Sequence, residues 1–308
     1  MVPFRGRTRL DQHRLTAGRR KEYANTHRVP LDGSSLAETI LPHASALARA
    51  FSAKVTLLRV IPPVTSLGLM GVELPEHWFD EEMAWSQNYL EDVARLLTDE
   101  GGIHVQTEVL DGDPATEIVT YTQKKHDVSL VAMATHGLSG GHRWLLGSVA
   151  IKVLHSLPTS LLLFHPHGKA HRPAGPISYQ TILVPLDGTR VAEQALDEAK
   201  SIASHMKATL LLLSVMPVSQ ESVAYGYLEH EAEVLREQAL QVAIWESDEH
   251  PVEEIPQIGM GLQHHAGLVV MIARGHDDRQ QHLMRSMSEK FLQYSEVPVL
   301  LIQVQEYF

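Results

Sequence analysis

One pattern occurs twice in this chain, and the duplication constrains the fold more than any other feature. Val29-Pro30-Leu31-Asp32-Gly33-Ser34, with Ala37-Glu38 behind it, recurs as Val184-Pro185-Leu186-Asp187-Gly188-Thr189 with Ala192-Glu193, an offset of 155 residues. The same offset aligns 55–62 with 210–217 without a gap. Further along it falls to 139, pairing 130–134 with 269–273, and then to 138, pairing 148–154 with 286–292. Each copy must close a core of its own, and 308 residues leave each the size of an ordinary domain. The residues that the second copy lacks fall most economically in the excursion Val64 to Glu82.

Hydrophobic periodicity in the first copy predicts strands over about 28–31 and 54–60, with a helix over 35–51 between them. A helix over 83–99 and a strand over 103–110 follow, then a helix opened by Asp113-Pro114 and a strand over 128–134. The copy ends with a helix over 148–156 and a strand over 160–164. Alternating strands and helices imply an α/β fold with a parallel sheet covered on both faces. Right-handed crossovers put all the strand C-termini, and with them a ligand crevice, on one edge. The expected organisation is a basic tail over 1–23, a domain over 24–165, a linker over 166–178 and a domain over 179–308. His27 and Arg28 stand where the second copy has Ile182 and Leu183. A buried parallel strand is normally apolar, so a distorted strand or an atypical chain start is expected there.

Composition removes several chemistries. Without cysteine there is no disulfide, iron–sulfur cluster, thiolate zinc site or thiol nucleophile. No apolar run reaches bilayer length and no signal-peptide core is visible, so a soluble cytoplasmic protein without membrane partners is expected. A net charge of −11 argues against a general nucleic-acid binder. Arg5, Arg7, Arg9, Arg14, Arg19, Arg20 and Lys21 do cluster near the N-terminus against only Asp11 and Glu22. A solvated disordered tail is expected there, with an RNA or membrane-surface arm as the alternative. The 19 histidines, His165 and His167 or His264 and His265 among them, show no spacing to carboxylates that would define a metal site.

Chemistry concentrates after the strand over 128–134, where Ala134-Thr135-His136-Gly137 is followed nine residues later by Gly147-Ser148. Glycines let backbone N–H groups approach an anion, a helix N-terminus adds about half a positive charge, and Ser148 suits the N-cap. Together with V-P-L-D-G-S at the first strand, V-I-P ending the second and G-D-P-A before a helix, this A-T-H-G-x9-G-S resembles the universal stress protein family, in tandem form from about residue 25. The family motif is written G-x2-G-x9-G-[S/T]; Ala134 replaces its first glycine, while Gly137, Gly147 and Ser148 match. A β-carbon fits at 134 if the backbone there is extended, but not if φ is positive.

The resemblance implies two flavodoxin-like, Rossmann-like (HUP-type) domains, each a five-stranded parallel sheet with helices on both faces. It also implies ATP, with Mg2+ on its phosphates, at the C-terminal edge of the first. Pro30, Leu31 and Asp32 would flank the nucleoside, Asp32 accepting from adenine or ribose. Val60 would meet adenine through its backbone, and Met133 and Ala134 would pack near ribose and base. His136, Gly137, Gly147, Ser148 and Val149 would surround the phosphates. From the residues alone, Asp32 could equally cap the next helix, the glycines could only form turns, and His136 could be a solvated loop residue.

The second cradle reads Ala273-Arg274-Gly275-His276, then Arg285-Ser286, one residue shorter and with arginine in place of Gly147. A long side chain there fills the phosphate space, although Arg274 and Arg285 could hold an anion themselves. The second domain is therefore expected to be mainly structural. The resemblance implies that it is an internal pseudo-dimer partner pairing 160–164 with 297–304, which would also cover two sheet edges, with a homodimer of chains as a further option. Gly137-Leu138-Ser139-Gly140-Gly141 matches the hydrolase elbow G-x-S-x-G, but the next helix starts about ten residues too late for it. No general base is fixed near the cradle except His136. The expectation is a nucleotide-binding sensor or partner switch rather than an enzyme. The alternatives are a nucleotide-free dimerising scaffold and a slow ATPase or phosphotransferase.

Overall fold

The structure, a computed structural model, describes residues 26–63, 75–125, 127–135, 146–165, 176–215, 221–245, 267–273, 291–292, 295 and 297–303. The basic tail, residues 166–175 of the linker, His136, Gly137, the elbow at 137–141 and Arg274 to Ser286 of the second cradle lie outside them.

The first half runs β1 (Thr26–Pro30), α1 (Ser35–Glu38), α2 (Leu41–Phe51), β2 (Lys54–Ile61), α3 (Trp78–Gly101), β3 (Val105–Asp111), α4 (Pro114–Lys124), β4 (Val128–Ala134), α5 (Ser148–Ser156) and β5 (Ser160–Phe164). The second runs β6 (Thr181–Leu186), α6 (Arg190–Met206), β7 (Thr209–Ser214), α7 (Glu221–Glu237), β8 (Val242–Trp245), β9 (Leu268–Ile272) and β10 (Val299–Ile302). The helix expected over 35–51 is two helices. Pro42, in the first turn of α2, has no N–H to donate to the carbonyl of Glu38, so the ladder breaks at Thr39-Ile40. The helix expected from 83 starts five residues earlier, at Trp78, which shortens the excursion. Asp113 caps α4 as its sequence predicts, accepting from the Thr116 hydroxyl at 2.7 Å and the Thr116 N–H at 3.0 Å, and these bonds, the hydroxyl's first, hold its carboxyl below the usual range.

The strands form one sheet in the order β3-β2-β1-β4-β5-β10-β9-β6-β7-β8. Pairing is parallel within each five-stranded half. It is antiparallel where the halves meet, with Leu161 opposite Leu301, Leu162 opposite Leu300 and Leu163 opposite Val299. All six side chains are buried. Each half thereby covers the other's hydrophobic edge strand, which is the internal pairing that the resemblance implied. The helices add to the joint: His43 Nδ1 of α2 lies 3.2 Å from the Tyr179 hydroxyl, and its ring packs on Phe164.

β1 carries the expected irregularity on one side only. It pairs in continuous register with β2, while its register with β4 shifts between Thr26 and His27. His27 and Arg28 are nonetheless buried. Burial pushes the His27 ring down to about 4, so it is neutral in the fold, and its Nδ1 has no partner. The Arg28 guanidinium lies 4.3 Å over the Tyr121 ring, and its Nε and Nη1 make no hydrogen bond.

Candidate functional site

The crevice begins with a missing hydrogen-bond donor. Leu31 N–H donates to the Leu58 carbonyl at 2.8 Å, so the odd-numbered residues of β1 face β2 and the even-numbered ones face β4. Pro30 therefore stands where the next donor to β4 would be and has none to give. The ladder to β4 ends at Arg28 opposite Val131, whereas the ladder to β2 continues to Pro30 opposite Leu58. The strands part where the connections also diverge, β1 leading back to β2 and β4 onward to β5, which is the switch point of a doubly wound sheet. Pro185 repeats the device: β6 pairs with β9 only at Ile182 and Leu183, but with β7 as far as Leu186.

On the β1 side, Asp32 Oδ1 accepts from the Ser34 N–H at 3.0 Å and the Ser34 hydroxyl at 2.6 Å. Ser34 Oγ in turn accepts from the Ala37 N–H at 3.1 Å and caps α1. On the β4 side, Met133 and Ala134 are buried at the strand end. Ala134 is extended, opposite Phe164, and is not among the residues with positive φ, so the alanine in place of glycine carries no backbone strain. Thr135 N–H donates to the Phe164 carbonyl, and the Thr135 carbonyl accepts from the Gly147 N–H, both at 2.9 Å. That second bond fastens the start of α5 beside the end of β4.

The expected N-cap at Ser148 is corrected to Gly147, whose carbonyl already accepts from the Ile151 N–H at 3.0 Å and so begins the helical ladder. Ser148 and Val149 are the first two helical residues, and Gly147 at the cap has no side chain to offer them. The first-turn N–H groups thus have no intrahelical partner and carry the positive end of the helix dipole toward the crevice. Pro30, Leu31 and Asp32 lead out of β1, Met133 and Ala134 end β4 beside it, and Gly147, Ser148 and Val149 open α5, which the Gly147–Thr135 bond ties to the end of β4. Val60 sits one strand away near the end of β2, opposite Leu110.

Sequence reasoning missed a cluster on the other wall. Arg59 of β2 is almost fully buried; its Nε donates to Ser86 Oγ at 2.7 Å and its Nη2 to Glu82 Oε1 at 2.6 Å, both on α3. The guanidinium lies 4.5 Å from the Trp85 ring, and Trp85 lies parallel to Tyr89 with centroids 5.4 Å apart. Tyr89 donates to Glu38 at 2.9 Å, and burial together with that carboxylate raises its hydroxyl above the usual range. The cluster reaches the β1 turn. Gly33 has φ +83°, and a β-carbon there would lie 2.6 Å from Trp85 Cη2 and 3.1 Å from Arg59 Nη1. The available signal was a charged residue in an apolar run at a position where the second copy has Ser214. Among the described residues no group of three or more His, Asp or Glu could hold a metal ion, and no helix is long and apolar enough to cross a membrane.

A sequence profile of the universal stress protein family matches residues 28–165 and again 178–303. The universal stress protein MJ0531 of Methanocaldococcus jannaschii is 34% identical over 138 residues, covering 44% of this chain and 78% of that protein. The universal stress protein YxiE of Bacillus subtilis is 34% identical over 131 residues, covering 41% of this chain and 88% of that protein. In fold, a solved universal stress protein from Archaeoglobus fulgidus superposes over 91% of this chain and 98% of its own, with a TM-score of 0.72 at 22% identity.

Proposed function

Because the chain belongs to the universal stress protein family and both of its halves match that family, we propose that the first half binds one adenine nucleotide. The ligand in this proposal is ATP, and the protein serves as a stress-response sensor or partner switch. The observation that carries the proposal is the start of α5, whose cap is a glycine without a side chain, fastened by the Gly147 N–H to the end of β4 beside the opening made by Pro30. Unsatisfied N–H groups at a helix start attract an anion, and the switch point is where open α/β sheets bind ligands.

Across the edge, Val60, then Pro30 to Asp32, then Met133 to Val149 follow the order base, ribose, phosphate. Neighbouring strands lie about 4.8 Å apart, so three strand ends span about 10 Å, the scale of a nucleoside with its first phosphates. His136 and Gly137 complete the phosphate contacts in this proposal, and Mg2+ travels with the phosphates rather than in a protein cage. The second half, with Arg285 at the glycine position, is the structural partner. His136 is the acid or base assigned to the phosphate end in this proposal, and binding without rapid turnover is proposed.

The test is mass spectrometry of small molecules released from the native full-length protein. One adenine nucleotide per chain is expected, together with an ATP-induced rise in Tm that Gly147→Arg abolishes. Protein that carries no nucleotide and does not respond to added ATP overturns the proposal. A second reading, a nucleotide-free scaffold, is favoured by one observation: the hydrogen bonds of Asp32 are matched by those of Asp187 in the other half.

A further inference from the structure

The two halves share most of their internal devices, so a device present in one half only points to what that half does. The Tyr89–Glu38 bond has its counterpart in Tyr227–Glu193 at 3.3 Å. The cap built by Asp32 and Ser34 has its counterpart in Asp187 and Thr189. With the 155 offset at β2 and 138 from Tyr89 to Tyr227, Arg59 corresponds to Ser214, Trp85 to Val223 and Ser86 to Ala224. Arg59, Trp85 and Ser86 therefore have no like residue in the second half, although the tyrosine and its carboxylate are kept. The fold of a half does not need them.

Their placement suits a ligand wall. Arg59 sits on the face of β2 that α3 covers, whereas α5 packs with α4 on the opposite face. The crevice thus has the dipole of α5 on one side and the Trp85 cluster on the other, with the Asp32-Gly33 turn between them. Burying an arginine for this purpose is costly, and here the cost is offset by Glu82, Ser86 and the indole face. The result is an indole held at three points, by Arg59, Tyr89 and the Gly33 turn, yet 47% exposed at the edge of the crevice. An exposed tryptophan held this rigidly is pre-organised to meet a flat ring at little entropic cost.

Resting on the nucleotide proposal above, we infer that Trp85 forms the α3-side wall of the base pocket and that Arg59 is its positioning residue, which confines base recognition to the first half. The indole contacts the base; Arg59, clamped by Glu82 and Ser86, sets where the indole stands without touching the ligand.

The experiment measures equilibrium binding of ATP and of inorganic tripolyphosphate to the full chain and to Trp85→Leu, Trp85→Phe and Arg59→Lys. Trp85→Leu is expected to weaken ATP by about tenfold and to leave tripolyphosphate unchanged. Trp85→Phe, which keeps an aromatic edge, is expected to weaken ATP less. Arg59→Lys keeps the charge but loses the planar fork, so it is expected to shift the Trp85 fluorescence and to weaken ATP alone. ATP affinity within twofold of the parent in Trp85→Leu overturns the inference, as does an equal loss for both ligands, which would mark a purely structural role. Failure of the parent chain to prefer ATP over tripolyphosphate overturns the nucleotide proposal itself, an outcome separate from these.

Discussion

In the first half Asp32 holds Ser34 and Ser34 caps α1; in the second, Asp187 holds Thr189 and Thr189 caps α6, with the same 3.0 and 2.6 Å bonds. The likeness does not extend to the strands on either side of that turn. β1 buries His27 and Arg28 where β6 buries Ile182 and Leu183, and β2 turns Arg59 onto α3 where β7 has Ser214. Repetition of a polar contact in both halves marks it as part of the frame. Asp32 belongs to that frame, whereas Arg59 and Trp85 distinguish the half that keeps Gly147.

The difference between β1 and β6 is expected to be largest as a dependence on pH. A ring with folded pKa of about 4 stays neutral while the unfolded chain's histidine protonates below about 6.5. The unfolded state then binds more protons, so stability is full above pH 6.5 and falls as the pH drops toward 4. The loss for His27 is on the order of 3 kcal/mol across that window. His43, also pushed down to about 4 by burial, adds a loss of the same sign. His27→Ile, which copies the second half, is expected to remove the first share, as read from urea unfolding at about pH 7 and about pH 4.5. An unchanged pH slope in that variant would break the comparison.

The turn glycines sharpen it. Gly33 and Gly188 both have positive φ, +83° and +79°. Gly33→Ala meets Trp85 as well as the backbone penalty and is expected to cost about 2 kcal/mol, against about 1 kcal/mol for Gly188→Ala. Equal costs in denaturant unfolding would show that the indole gives way. The smallest effects test what the halves share: Ser34→Ala and Thr189→Ala are each expected to cost about 1 kcal/mol, visible as matching falls in Tm.

Much of this was legible in the chain. The strand over 128–134, the helix over 148–156 and the strand over 160–164 lie where their periodicity and start signals put them. Such elements depend on neighbours a few residues apart. The same locality explains the errors. One long helix was expected over 35–51 because its apolar spacing is continuous, while the cost of Pro42 falls on a single hydrogen bond that periodicity does not register. The capping role passed from Ser148 to Gly147 because a carbonyl on another element, Thr135, took the Gly147 N–H.

The repeat, the alternation of strand and helix, and the Pro30 that opens the crevice follow from the order of residues, since each acts through local backbone chemistry or through a pattern that the second copy confirms. Only the folded chain could bring Arg59 from a strand against Glu82, Trp85 and Ser86 on a helix, or lay β5 against β10, the last strands of the two halves. Those contacts join segments far apart in sequence, and their energy comes from shared burial rather than from any preference of the residues themselves.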